Sequence, residues 1–259
     1  MANSIELSTS RTWQRACLQA AIVGGMTCPA IAQAQVPDRI TLGAGAAIAP
    51  AYYGSKDVRI LPVPIVEVKK GAFYANLADG AGVYVVDTDH FRIGGGLNFV
   101  RGYRDEDVPD GIDGLSNTAG VRMFARYTAA GTGFTLGATR SIGGTKGFTV
   151  EGRLSHFFLI GRRLTLVPTV ALTWADGKSQ QRYFGIDSGE STASGLPVYS
   201  PSSDLRDLMG TVTANYRLAR SFNLTATVGA TTLFDQAHYS PLVERRTAPL
   251  GLIGISRSF

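Results

Sequence analysis

The chain has 259 residues, 44% of them hydrophobic and 17% charged, with 31 glycines and a formal net charge of +5. Its basic residues are dispersed singly rather than gathered into a stripe, which argues against a nucleic-acid partner. The glycines show no period of three and no low-complexity block, so collagen and linker readings fail and close-packed strands and turns fit better.

Arg11 and Arg15 precede an apolar run over 16–32 that closes on the small-residue triplet Ala32-Gln33-Ala34. This is the pattern of a Sec signal peptide cleaved after Ala34, which divides the chain into a signal over 1–34 and a mature part over 35–259. The run is too short for a membrane helix and is interrupted by Gln19, Thr27 and Pro29. Thr27 also stands where a lipoprotein site before Cys28 wants a smaller residue. Cys17 and Cys28 both fall in the segment to be removed, so the mature part is expected to have no thiol, disulfide or cysteine metal ligand. It has no apolar stretch near the ~20 residues of a membrane helix. If it crosses a membrane, it does so with strands.

From there on the sequence alternates with period two. The alternation places about twelve strands near 38–48, 58–68, 71–77, 81–87, 90–99, 118–128, 133–141, 147–159, 163–175, 206–218, 221–234 and 250–259. In the ninth, Leu164, Leu166, Pro168, Val170, Leu172 and Trp174 share one face and Thr165, Val167, Thr169, Ala171 and Thr173 the other. The less apolar faces of the series carry Arg92, Asn98, Arg122, Arg126, Glu151, Arg153, Asn215 and Arg217, which suits a wet barrel lumen with aliphatic and aromatic side chains turned to lipid. In a soluble sandwich the same charges would face bulk water; aromatics at the ends of the opposite faces favour the membrane.

The connections alternate too. Those near 69–70, 88–89, 129–132, 160–162 and 219–220 are tight, whereas the opposite set, near 49–57, 78–80, 100–117, 142–146, 176–205 and 235–249, contains every long one. Short periplasmic turns against long extracellular loops predict an all-β, transmembrane, antiparallel up-and-down barrel with both termini in the periplasm. The last strand ends on Phe259 with Ile253 and Ile255 on the same face, a terminal signal suited to the bacterial barrel-assembly machinery. Arg257 interrupts that face and is expected at the periplasmic rim, where it reaches water. Pro62 and Pro64 lack the N–H a ladder needs, so the second strand is expected to bend or bulge.

The sequence resembles the MipA/OmpV family of outer-membrane proteins. The resemblance rests on Pro50-Ala51-Tyr52-Tyr53-Gly54-Ser55, Leu61-Pro62-Val63-Pro64, Trp174, Tyr183-Phe184-Gly185-Ile186 and Ser240-Pro241-Leu242-Val243, in this order along nearly the whole mature chain. It implies a barrel of this size and a scaffold that ties peptidoglycan-remodelling enzymes, such as a periplasmic lytic transglycosylase, to the outer-membrane lipid. It implies no catalytic residue and no cofactor.

Other motifs read blandly. None of His90, His156 and His238 has a second histidine at ligand spacing. His238 lies beside Asp235, Tyr239 and Ser240 in an extracellular loop, the place for an outer-membrane hydrolase, but nearness in sequence does not assemble a nucleophile and base. Gly185-Ile186-Asp187-Ser188-Gly189 misses the nucleophile elbow by one position, leaving Ser188 a polar loop residue. Gly94-Gly95-Gly96 and Gly43-Ala44-Gly45 have no following helix and suit strand curvature or packing. The acidic run 104–110 could hold a cation but reads first as a solvated loop. Three functions are therefore carried forward: a scaffold, favoured by the resemblance; a small anion-preferring channel lined by Arg92, Arg122, Arg126, Arg153 and Arg217; and a hydrolase.

Overall fold

A computed structural model describes residues 38–259, so Ala32, Ala34, Cys17 and Cys28 lie outside the described residues. The first six strands are β1 (Arg39–Pro50), β2 (Val58–Lys70), β3 (Phe73–Asn76), β4 (Gly80–Asp87), β5 (Phe91–Val100) and β6 (Thr118–Ala129). They are followed by β7 (Thr132–Ser141), β8 (Phe148–His156), β9 (Phe158–Ile160), β10 (Leu164–Ala175), β11 (Asp204–Arg217), β12 (Phe222–Leu233) and β13 (Thr247–Ser258). Every pairing is antiparallel, and the sheet closes because β13 pairs with β1 while β11 pairs with β10. β8 and β9 both pair with β10 and are split only at Phe157, so twelve strand positions form the ring. Closure matters in lipid, where an unpaired N–H or C=O has no water to bond.

The alternation becomes two chemically distinct faces. Along β6, Val121, Met123 and Tyr127 are exposed while Arg122 and Phe124 are buried between them. Ile253, Ile255 and Phe259 lie on the exposed outer face of the last strand. Arg257 holds its guanidinium 5.7 Å from the Phe222 ring and 4.9 Å from that of Phe259. Both described ends meet at one rim, where the Phe259 N–H donates to the Ile40 carbonyl at 2.9 Å. That rim also carries the short turns. Ala130 and Gly131, with φ of 48° and 77°, form a two-residue hairpin of the mirror-image kind that matches strand twist.

Two expectations are corrected. β2 does not bulge at its prolines: its register with β1 runs without a shift from Arg39 opposite Lys69 to Pro50 opposite Val58. Prolines fit a strand whose missing N–H faces an unpaired edge, and β3 reaches only Glu67–Lys70 of β2, short of both. The connection near 78–80 is not an extracellular loop at the rim. It caps the short β3–β4 hairpin partway up the wall and places Asp79 in the interior, fully buried.

Gly96 shows how closely the wall is packed. A Cβ there would stand 2.1 Å from the Ala81 carbonyl oxygen across the β4–β5 ladder. Gly96→Ala should therefore cost about 1–3 kcal/mol of overpacking, read as a lower temperature at which the compact, fast-migrating band disappears on a gel.

Candidate functional site

The interior is charged on one side. Asp79 accepts from Arg126 Nη2 at 2.6 Å and from Arg122 Nη2 at 3.2 Å, and Arg153 Nη1 stands 3.9 Å away. Glu151 accepts from Arg122 at 3.1 Å and also pairs with Arg153. Register explains the grouping: Arg122 faces Thr139, Arg126 faces Thr135, and Glu151 faces Gly137 across β7. Thr139 and Thr135 accept from those two arginines at 3.3 and 3.0 Å. Gly137 leaves room for the Arg122 guanidinium, which would lie 2.6 Å from a Cβ at that position.

The other expected interior residues are more scattered. Arg92 bonds Asp87 at 2.8 Å, and Lys69 bonds the same carboxylate, beside the rings of Tyr74, Tyr84 and Phe124. Asn98 borders a polar chamber of about 230 Å³ that also touches Arg122 and Glu151. Asn215 accepts from Thr225 at 2.8 Å, and Arg217 is exposed at the rim. Asp79 was legible only as a turn residue. Asn76 Oδ1 accepts the N–H groups of Ala78 and Asp79 ahead of Gly80, which marks a hairpin but not its inward direction.

Four long connections, 51–57, 101–117, 176–203 and 234–246, leave the opposite end of the barrel. They join strands on different sides of the ring, yet Tyr52, Tyr103, Ile112, Tyr183, Phe184 and Leu242 form one buried cluster. The loops therefore converge over the extracellular mouth. Tyr103 and Tyr183 meet edge to face at 5.1 Å, Tyr52 donates to the Leu242 carbonyl at 2.8 Å, and Ser240 donates to the Phe184 carbonyl at 2.6 Å. The third loop contains two helices where a plain loop was expected. α1 (Gly177–Phe184) is capped by Asp176, which accepts from the Ser179 N–H, and α2 (Ser188–Ser194) by Asp187, which forms a capping box with Glu190. Ser188 thus opens a helix. The acidic run 105–107 is a 3-10 turn whose carboxylates answer Arg59, Arg104 and the Gly114 N–H.

The histidines remain apart. His90 bonds the Thr128 carbonyl and His156 bonds Thr132 Oγ1, at 3.0 and 2.7 Å. His238 Nδ1 is buried without a hydrogen-bond partner, and the Ser240 hydroxyl beside it is committed to Phe184.

Two outcomes follow from burial. Asp79→Asn leaves Arg122 and Arg126 facing each other with less countercharge and should cost about 3–5 kcal/mol, measured by urea unfolding in detergent. In the cap, burial and then the nearby carboxylates of Glu244, Asp57 and Asp107 push the Tyr52 hydroxyl up to about 12. Burial likewise pushes Tyr103 and Tyr183 up. A raised folded-state pKa gives stability that is complete below the ordinary tyrosine value of 10.0 and is lost as pH rises through about 12. Phenolate absorbance should therefore show Tyr52 ionising late, together with loosening of the loops.

The chain is similar to several known proteins. The family model described as MltA-interacting protein MipA matches residues 42–259. The MltA-interacting protein of Escherichia coli (strain K12) is 23% identical over 231 residues, covering 87% of this chain and 92% of that protein. YiaT of Escherichia coli O157:H7, named as an outer membrane protein, is 25% identical over 244 residues, covering 92% and 98%. Among solved structures, the KdgM porin in complex with disordered oligogalacturonate aligns with a TM-score of 0.43 at 12% identity, covering 85% of this chain and 99% of that one. Matched over most of its length, this outer-membrane barrel belongs to the MltA-interacting protein MipA family.

Proposed function

We propose that this barrel is a non-enzymatic anchor that holds a periplasmic lytic transglycosylase against the inner surface of the outer membrane. The observation that carries the reading is the free edge of strand β9 at the periplasmic end. Among the described residues β9 pairs with β10 alone, leaving its other edge open. Phe157, Phe158 and Ile160 are about half exposed, and Leu159, on the opposite face from Phe158, is 74% exposed. β9 extends the wall past the end of β7, so its free edge offers main-chain donors and acceptors for an added strand. Arg162 and Arg163 in the adjoining turn are exposed as well. A relative in the same family is named for its interaction with MltA, which points to a partner of the transglycosylase class.

A second reading, a small anion-preferring channel, is favoured by the excess of guanidiniums over carboxylates in the network of Arg122, Arg126, Arg153, Asp79 and Glu151. The loop cluster over the mouth weighs against it. A hydrolase is favoured by no contact of His238.

The anchor reading predicts that the refolded protein stays electrically silent in planar bilayers; stepwise anion-selective currents would make it a channel. It also predicts that a purified transglycosylase domain binds the barrel and that Leu159→Lys, which blunts the free edge, weakens binding at least about tenfold while the folded gel band persists. Undiminished binding to Leu159→Lys would remove β9 as the docking site.

A further inference from the structure

The barrel wall has a gap. The residues 58–66 of β2 pair with β1 on one edge, but on the other no strand faces them among the described residues, because β3 stops at Asn76 opposite Glu67. Beyond the turn at 77–79 the gap is bordered by the end of β5 and the loop 101–117. A groove of about 910 Å³ lies there, lined by Leu61, Val63 and Pro64 of β2, Leu77 of the turn, and Phe99 and Arg101. Leu61 and Val63 lie on the half-buried inner face of β2, whereas Pro64 is exposed on the outer face. The groove is thus lined from both faces of the strand at its unpaired edge.

Two further observations say what the gap is suited to. An unpaired edge in lipid is costly at each N–H, and at positions 62 and 64 there is no N–H to leave unpaired. At the inner end, Arg101 donates to the carbonyls of Pro50 and Ala51 at 2.7 and 2.8 Å and has no carboxylate partner among the described residues. Its neighbours Arg59 and Arg104 are each paired with acidic residues. Arg101 and Phe99 also border the polar chamber inside the barrel. An uncompensated cation thus sits where an apolar groove from the lipid phase meets a polar interior.

We infer that the gap between β2 and β5 is a lateral portal for a long-chain carboxylate of the membrane, with its apolar chain along Leu61, Val63 and Phe99 and its head on Arg101. The groove volume falls within the range of pockets that enclose a ligand of that size. Entry from the side leaves the loop cluster over the mouth undisturbed.

The test uses the whole chain in unbrominated lipid nanodiscs, with Trp13 and Trp174 replaced by phenylalanine and a reporter tryptophan introduced at Leu61, facing inward. Dibromostearate should quench Leu61→Trp saturably, as it quenches the outward reporter Ile60→Trp. Arg101→Gln should raise the half-quenching concentration about tenfold, the scale of a lost charge-assisted hydrogen bond, and Arg101→Lys should restore much of it. The methyl ester should bind the unmodified site as weakly as the acid binds Arg101→Gln. Quenching of Ile60→Trp without quenching of Leu61→Trp, or of the second inward reporter Val63→Trp, would mean a closed wall and overturn the portal. Equal half-quenching concentrations of the acid for the Arg101→Gln and unmodified proteins, or of acid and methyl ester for the unmodified protein, would overturn the carboxylate assignment.

Discussion

The structure depends on one constraint: in lipid, the backbone must satisfy its own hydrogen bonds. Twelve strand positions do so by closing a ring, and nearly every residue from Arg39 to Ser258 outside the loops has a ladder partner. Two free edges are informative because of where they fall. The free edge of β9 stands at the periplasmic rim, where water or a partner can bond it. The free edge of β2 lies in the wall itself, and there prolines remove two of its donors. A barrel that tolerated unpaired backbone at random would show no such placement.

Within the ring, charge and apolar burial are separated by height. Arg122, Arg126 and Arg153 are held by Asp79 and Glu151 inside the wall, where low dielectric makes a lone charge expensive. The apolar residues that a soluble protein would place in its centre are here in the loops, as the cluster around Tyr103 and Phe184. The barrel's greasy surface faces outward, so the large apolar cluster among the described residues is the cap over its mouth, beside the smaller ring group of Tyr74, Tyr84 and Phe124 in the interior. This inversion follows from the solvent. Lipid accepts Met123 and Ile255 on the outside, and only segments beyond the membrane need a core of their own.

Much of the ring was legible in the sequence, because a period of two and the length of connections are local signals. The twelve strand positions, the asymmetry of the loops and the outward row of Ile253, Ile255 and Phe259 are of that kind. What was not legible is what depends on contacts between distant segments. Asp79 belongs to a recognisable turn, but its partners arrive from β6 and β8, 43 and more residues away. The prolines of β2 suggested a bulge because sequence gives no hint that β3 stops short of them. The capping residues Asp176 and Asp187 were present as local signals for α1 and α2, but helices this brief carry little periodicity to announce themselves.

The seam between β1 and β13 joins the two ends of the barrel, with Thr41 opposite Ser258 and their hydroxyls 3.0 Å apart. These partners are separated by 217 residues, so this ladder cannot begin until the final strand has arrived. Contacts so distant along the chain make assembly slow. For that whole interval the first strand waits with an open edge, and any chain cut short before β13 keeps that edge permanently. The order of synthesis therefore makes the last twelve residues of the ladder a checkpoint: a truncated product remains an unclosed sheet, prone to pairing with its neighbours and exposed to quality-control proteolysis.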